Sequence, residues 1–119
     1  MLFVCYPKCT TCRKAQKYLD ARGARYTLRD IRADRPTREE LAGWQARSGL
    51  PLRRFFNTSG QQYRALGLKD RLPAMTGEEM LDLLAGDGML VKRPLLIAGE
   101  HVLVGFREEE WDALLETLA

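Results

Sequence analysis

Leu2 to Tyr6 is an apolar run closed by Pro7, a pattern that predicts a short buried strand of the kind found centrally in an α/β sheet. Beyond it the apolar period lengthens. Cys12, Ala15, Tyr18 and Leu19 recur at helical spacing, while Arg13, Lys14, Lys17 and Asp20 fall on the opposite face. Gly23 stands where a helix C-cap is expected. Arg25 to Ile31 then alternates, with Tyr26 and Leu28 between charges, and reads as a half-exposed second strand.

From Asp34 to about Gly88 the signals are helical. Thr37 with Glu40, after Pro36, spells a capping box that opens a helix carrying Leu41 and Trp44 and ending near Gly49. Thr76 with Glu79 repeats the device ahead of Met80, Leu83 and Leu84, with Gly86 and Gly88 closing that helix. Leu52 to Phe56 and Gln61 to Leu66 read as shorter helical turns separated by Asn57-Thr58-Ser59-Gly60.

After Pro94 the period shortens again. Leu95-Leu96-Ile97 and Val102-Leu103-Val104 are strand-like runs, and Gly99 sits where a type II′ hairpin turn needs a positive φ. A last helix begins with Glu108, Glu109 and Glu110, carboxylates that complement the positive end of its dipole, and is expected to bury Trp111, Leu114, Leu115 and Leu118. The strands joined through a helix should be parallel and those joined by a tight turn antiparallel. The predicted fold is therefore α/β and thioredoxin-like: a four-stranded mixed sheet with an all-helical insertion, about 34–88, between the second and third strands.

Composition adds limits. A chain of 119 residues with 45% hydrophobic content suits one domain, 1–119, around one core. No apolar run approaches the ~20 residues that cross a bilayer, and the N-terminus does not read as a signal segment, so a cytoplasmic protein without membrane association is expected. The net charge of +3 is interspersed rather than blocked, which argues against direct nucleic-acid binding. Arg53-Arg54 and Lys92-Arg93 read as local surface or anion-contact features, with the solvated-face reading favoured for the first. The chain has 3 cysteines, all between Cys5 and Cys12, which fits functional thiols in a reducing compartment better than a disulfide framework.

Cys9-Thr10-Thr11-Cys12 places a C-x-x-C at the start of the first helix. Unpaired backbone N–H groups near Thr10 and Thr11 and the positive end of the helix dipole favour thiolate there, and free cysteine, titrating at about 8.5, becomes reactive at neutral pH in such a setting. Cys9 is the expected nucleophile. Cys12, one turn on, is placed to resolve a mixed disulfide.

Two other uses of these cysteines fit less well. A structural zinc site needs four ligands, and only Cys5 and the distant His101 remain, the latter reading as a surface residue beside the hairpin turn; no metal is expected. Cys5, Cys9 and Cys12 also spell C-x3-C-x2-C, a spacing used for iron–sulfur clusters. Such clusters need thiolates converging from a loop, and here Cys5 falls in a strand and Cys12 on a helix. Cys5 reads as a small core residue.

Arg93-Pro94 is the second constellation. In a thioredoxin-like fold the proline opening the third strand is typically cis and abuts the redox cysteine, so Pro94 should turn the preceding backbone toward Cys9 and bring Arg93 near its sulfur. There a guanidinium can stabilise the sulfur anion and bind an oxyanion or a carboxylate of glutathione.

The segments Tyr6-Pro7-Lys8-Cys9-Thr10-Thr11-Cys12-Arg13-Lys14-Ala15, Phe56-Asn57-Thr58-Ser59-Gly60, Leu90-Val91-Lys92-Arg93-Pro94-Leu95 and Val104-Gly105-Phe106 together resemble the glutaredoxin-type arsenate reductase family, including its Spx and YffB relatives. The likeness spans essentially the whole chain. It implies the thioredoxin-like fold, a catalytic cysteine at Cys9 and an oxyanion-binding arginine at Arg93. Where the arsenate-reducing members carry further arginines, this chain has Asn57 and about Gly105, which implies weaker charge-assisted binding of arsenate.

The Spx branch implies another class of function, a redox-switched regulator that binds the C-terminal domain of the RNA polymerase α subunit and is switched by a Cys9–Cys12 disulfide. This chain lacks the longer C-terminal extension of Spx, and Ser48 to Phe56 does not reproduce its polymerase-binding surface. The leading expectation is a monomeric thiol oxidoreductase, arsenate reductase-like or glutathione-dependent. Cys9, Cys12 and Arg93 act in catalysis, and Thr10, Thr11, Asn57, Arg93 and Pro94 bind a small thiol or anionic substrate. No cofactor is held, and glutathione, thioredoxin or glutaredoxin donates electrons as the redox partner.

Overall fold

In the computed structural model, which describes residues 1–118, β1 (Leu2–Cys5) leads through α1 (Thr10–Ala21) to β2 (Thr27–Asp30). The helical segment follows as α2 (Arg38–Ser48), α3 (Gln61–Ala65), α4 (Leu68–Arg71) and α5 (Gly77–Gly86), with 3-10 turns at Leu52–Phe55, Leu72–Ala74 and Gly88–Leu90. The chain closes with β3 (Leu95–Ala98), β4 (His101–Val104) and α6 (Glu108–Leu118).

The four strands lie in the order β2-β1-β3-β4. β1 is parallel to β2 with Phe3 opposite Leu28, and antiparallel to β3 with Phe3 opposite Leu96. β3 and β4 form a hairpin with Ala98 opposite His101. Gly99 has φ +58 and Glu100 has no positive φ, which makes the connecting turn II′ rather than I′, as its sequence predicts.

Strand alternation splits the core between two faces of the sheet. Phe3, Cys5, Leu96 and Ala98 pack on one side against Cys12, Ala15, Tyr18 and Leu19 of α1 and Trp111 and Leu114 of α6. Val4, Leu95 and Ile97 pack on the other side, under Leu41 and Trp44 of α2 and Leu84 of α5. The helical segment therefore covers one face and α1 with α6 cover the other.

Local signals set the helix ends. α1 stops in a Schellman motif, with Gly23 at φ +65, its N–H on Asp20 O at 3.1 Å and the Ala24 N–H on Leu19 O at 3.1 Å. Both capping boxes form, Thr37 with Glu40 and Thr76 with Glu79. Four details differ from expectation. β2 is shorter than Arg25 to Ile31, and Leu28 is exposed, because β2 is an edge strand. α4 and the turn after it were not foreseen, since their burial rests on Leu68 and Leu72 without a helical stripe. Gly86 ends α5, but Gly88 begins a separate turn so close to β2's end that an added Cβ would lie 2.0 Å from Ile31 O. Leu118 is exposed, where a buried stripe was expected.

One contact fastens the helical segment to the sheet's open end. Phe56 and Val91 form an isolated antiparallel bridge, flanked by Asn57 N–H to Leu90 O and Lys92 N–H to Phe55 O, both at 2.7 Å. That bridge sets Arg53 and Arg54, just before it, beside the strand entry at Lys92 and Arg93.

Candidate functional site

The turn Tyr6-Pro7-Lys8 delivers the chain to the N-terminus of α1, where Cys9 is the N-cap residue with extended backbone, φ −86 and ψ 126. Its N–H donates to Tyr6 O at 2.9 Å and its carbonyl accepts from Arg13 N–H at 3.0 Å. The N–H groups of Thr10, Thr11 and Cys12 precede the first intrahelical donor, Arg13 N–H, and have no acceptor within the helix. Cys9 is half-buried, whereas Cys5 and Cys12 are buried, and all three are unbridged.

Cys12 lies beneath Cys9, on the face of α1 that meets β1. Its sulfur accepts from Tyr6 N–H at 3.3 Å and packs in one cluster with Cys5 and Cys9. The Cys5 hydrogen bond and then burial push the Cys12 thiol well above the usual thiol range, against smaller opposing effects of Tyr6 N–H and Cys9. Cys12 therefore rests as a neutral thiol. Cys5 is in the core as expected, and its contact with Cys12 was not legible, because it depends on which faces of β1 and α1 meet.

Arg93 precedes Pro94 across a cis peptide bond, as its sequence position predicts. The guanidinium carbon lies 5.4 Å from the centre of the Tyr6 ring, and Nη1 donates to Met89 O at 3.3 Å. Its buried Nε has no acceptor. Tyr6 is thus the link between the cysteines and Arg93, since its carbonyl holds the Cys9 amide, its amide holds the Cys12 sulfur and its ring carries the cation.

Arg93 sits between two clefts. The first, about 420 Å³, brings Arg93 together with Arg53, Arg54, Lys92 and Arg107, with Thr11 at its edge. Phe56, Val104 and Phe106 form its apolar wall. The loop after β4 shapes it: Gly105, at φ +79, donates its N–H to Pro94 O at 2.8 Å and accepts from Trp111 Nε1 at 3.1 Å. A Cβ on Gly105 would approach Lys92 Cε to 3.3 Å in a backbone conformation that disfavours side chains. The second cleft, about 640 Å³, joins Arg93 to Asn57, Arg32, Arg35 and Asp87.

Of the residues singled out by sequence, Thr11 and Arg93 share the first cleft, and Asn57 and Arg93 the second. Thr10 is exposed and lines neither, as does half-buried Cys9; Pro94 is buried and contributes its carbonyl to the loop at Gly105. Arg53 and Arg54 are exposed as expected, and they also line the open cleft. Arg107 was missed altogether. For Arg53-Arg54 the available signal is the Phe55-Phe56 pair directly after them, an apolar anchor that fixes a surface dipeptide in place, and no such signal marks Arg107. His101 is exposed on β4, and among the described residues no cluster of His, Cys, Asp or Glu could hold a metal ion. No helix of the described residues is long and apolar enough to cross a membrane.

The chain is 49% identical over 112 residues to YusI of Bacillus subtilis, covering 94% of this chain and 95% of that one. It is 30% identical over 110 residues to the regulatory protein MgsR of the same organism, covering 92% and 86%. A crystal structure of an ArsC-family-related protein from Bacteroides fragilis superposes with a TM-score of 0.93 at 53% identity, covering 95% of each chain. More distant relatives include proteins named arsenate reductase and global transcriptional regulator Spx. The ArsC family model matches residues 5–114, and with the four-stranded mixed sheet and these relatives it establishes that the chain belongs to the ArsC family.

Proposed function

We propose that this ArsC-family chain is a thiol–disulfide reductase in which Cys9 attacks, Cys12 resolves and Arg93 holds an anionic group of the substrate. One observation carries the reading. Of the three thiols only Cys9 is not buried, and it is the N-cap residue at the open N-terminus of α1, with the buried Cys12 one turn further on.

In the first step the Cys9 sulfur bonds to one sulfur of a substrate disulfide, and the other sulfur leaves as a thiol with the proton from Cys9. The free N–H groups of α1 stabilise negative charge on sulfur during that exchange. In the second step Cys12 attacks the Cys9 sulfur, its proton leaves with the second thiol, and a Cys9–Cys12 disulfide remains. The substrate has gained two electrons and the protein dithiol has lost two. Glutathione, thioredoxin or glutaredoxin then supplies the electrons that restore the dithiol. A neutral, buried Cys12 suits the second role, since it does not compete with Cys9 for substrate in the first.

The test is reaction with a small mixed disulfide, followed by intact-mass spectrometry. Cys12→Ser should trap half of the substrate on Cys9, and Cys9→Ser should form no adduct and lose turnover to background. Turnover surviving in Cys9→Ser sinks the reading. Similarity to MgsR, named a regulatory protein, favours a second reading, a redox-sensing regulator that binds the RNA polymerase α C-terminal domain. Retention of that domain by only one redox state of the protein, without turnover, would favour it.

A further inference from the structure

We propose that the cleft between the Arg53-Arg54 turn and the loop at Gly105 binds the phosphate groups of a phosphorylated thiol, making disulfides of such thiols the preferred substrates. The reaction rests on the Cys9 chemistry proposed above, whereas the binding rests on the cleft alone.

The charge pattern carries the argument. Arg53, Arg54, Lys92, Arg93 and Arg107 line one cleft whose lining includes no Asp or Glu. Among the described residues the ion pairs are made by Arg22, Arg29 and Arg38, and none by these five cations. Cations gathered without counter-charge repel one another and raise the local positive potential, an arrangement relieved by a bound anion. Arg93 adds a second observation: it lines both clefts, its chain offers it one bond, from Nη1 to Met89 O at 3.3 Å, and its buried Nε has no acceptor, so its charge is left without a partner in the fold.

The same pattern discriminates among thiols. Glutathione carries an ammonium group besides its carboxylates, and in this cleft that ammonium would face cations with no carboxylate to receive it. A phosphate group has no such conflict and accepts paired N–H donors from a guanidinium fork. The volume, about 420 Å³, is that of a small-molecule site, and Phe56, Val104 and Phe106 offer an apolar wall to the uncharged part of the ligand. Thr11 sits at the cleft edge in the first turn of α1, two residues beyond Cys9, so a ligand anchored there by its phosphates can extend its sulfur toward the N-cap.

The experiment compares two disulfides with the same sulfur end, that of coenzyme A, which carries phosphates, and that of pantetheine, which carries none. Exchange is as written above: Cys9 and Cys12 lose two electrons together, and each disulfide yields two thiols. The wild-type protein should prefer the coenzyme A disulfide by about tenfold in kcat/KM at low salt, with the preference falling as ionic strength rises. In Arg53→Gln/Arg54→Gln that preference should collapse toward one. Because it is a ratio on one protein, partial unfolding does not alter it.

A wild-type ratio near one, or a ratio indifferent to the arginine replacements, overturns the proposal and leaves the thiol reductase standing if the pantetheine disulfide is turned over. Calorimetric titration of Cys9→Ser protein with coenzyme A isolates binding. Heat that disappears on adding Arg53→Gln/Arg54→Gln upholds the cleft even where no disulfide reacts, and absence of binding removes it.

Discussion

Arg29 and Arg93 are both held partly inside the protein, and they are used in opposite ways. Arg29, on edge strand β2, donates from Nη1 and Nη2 to the two carboxylate oxygens of Glu40 at 2.5 and 2.8 Å. Its Nε reaches Asp34 O at 2.9 Å, and Nη2 also reaches Arg35 O at 3.1 Å. Every nitrogen of that guanidinium is engaged by its own chain, and the fork ties β2 to the N-terminus of α2. Arg93 has one long bond to Met89 O at 3.3 Å, a buried Nε without acceptor and an aromatic ring beside it. A guanidinium whose donors are all taken holds the fold together, and the open donors of Arg93 are what the anion-holding role proposed above requires.

The largest expected effect tests the second half of that contrast. Arg93→Met, which keeps length and removes charge, should lower kcat/KM for an anionic disulfide by about a hundredfold, the scale of one or two charge-assisted hydrogen bonds. The urea midpoint should hold or rise slightly, because an unpaired buried donor has been replaced by an apolar group. A variant that loses stability along with activity would show that Arg93 is structural after all.

Arg29→Met should behave in the reverse manner. It leaves the partly buried Glu40 carboxylate without its fork, and the loss should be about 1–3 kcal/mol in urea unfolding at unchanged m-value, with exchange activity per folded molecule retained. Arg38 is the internal control. It also bridges two elements, pairing α2 with Glu78 and Asp82 of α5, but those carboxylates are 78% and 70% exposed. Arg38→Gln should move the midpoint far less than Arg29→Met, since exposed pairs are well screened. Equal effects from the two would mean that burial is not what separates them.

The sequence made part of this contrast legible. Features decided within a few residues could be read directly: the capping boxes at Thr37 and Thr76, the II′ turn at Gly99, the C-x-x-C at the start of α1 and the cis bond expected at Arg93-Pro94. The first three depend on neighbours one to four positions away, and the cis bond on the place of Pro94 at the entry to the third strand of a thioredoxin-like fold. The cleft was not legible, because its cations come from three distant segments. Arg53 and Arg54 are placed by the Phe56–Val91 bridge, and Arg107 by the loop that Gly105 fastens to Pro94 and Trp111. The thiol contact between Cys5 and Cys12 likewise needs the meeting of β1 and α1, which residue pattern places only to within a face.

The smallest expected effect is a pH dependence, and it isolates the Arg29 side of the comparison. Arg29 first, and then the N–H and side chain of Thr37, hold the Glu40 carboxyl down at about 2 despite the opposing influence of burial. In the unfolded chain the same group titrates at about 4.3. A depressed folded value means that Glu40 contributes stability above about pH 4.3, and that this contribution is lost progressively as pH falls toward 2. Glu40→Gln separates charge from capping, since the amide oxygen can still accept from Thr37 N–H, as Glu40 Oε1 does at 3.0 Å. The two proteins should differ by no more than about 1 kcal/mol at pH 7, a screened value for a carboxylate that is about one-third exposed, and their stability curves should converge as pH approaches 2. Glu40→Gln should disturb less than Arg29→Met, because Arg29 keeps its bonds to Asp34 O and Arg35 O when Glu40 is neutral, whereas Glu40 loses its whole fork when Arg29 is gone. Curves that stay parallel down to pH 2 would show that the fork's value lies in its hydrogen-bond geometry and not in its charge, and the distinction between a bonded and an open guanidinium would then rest on donors alone.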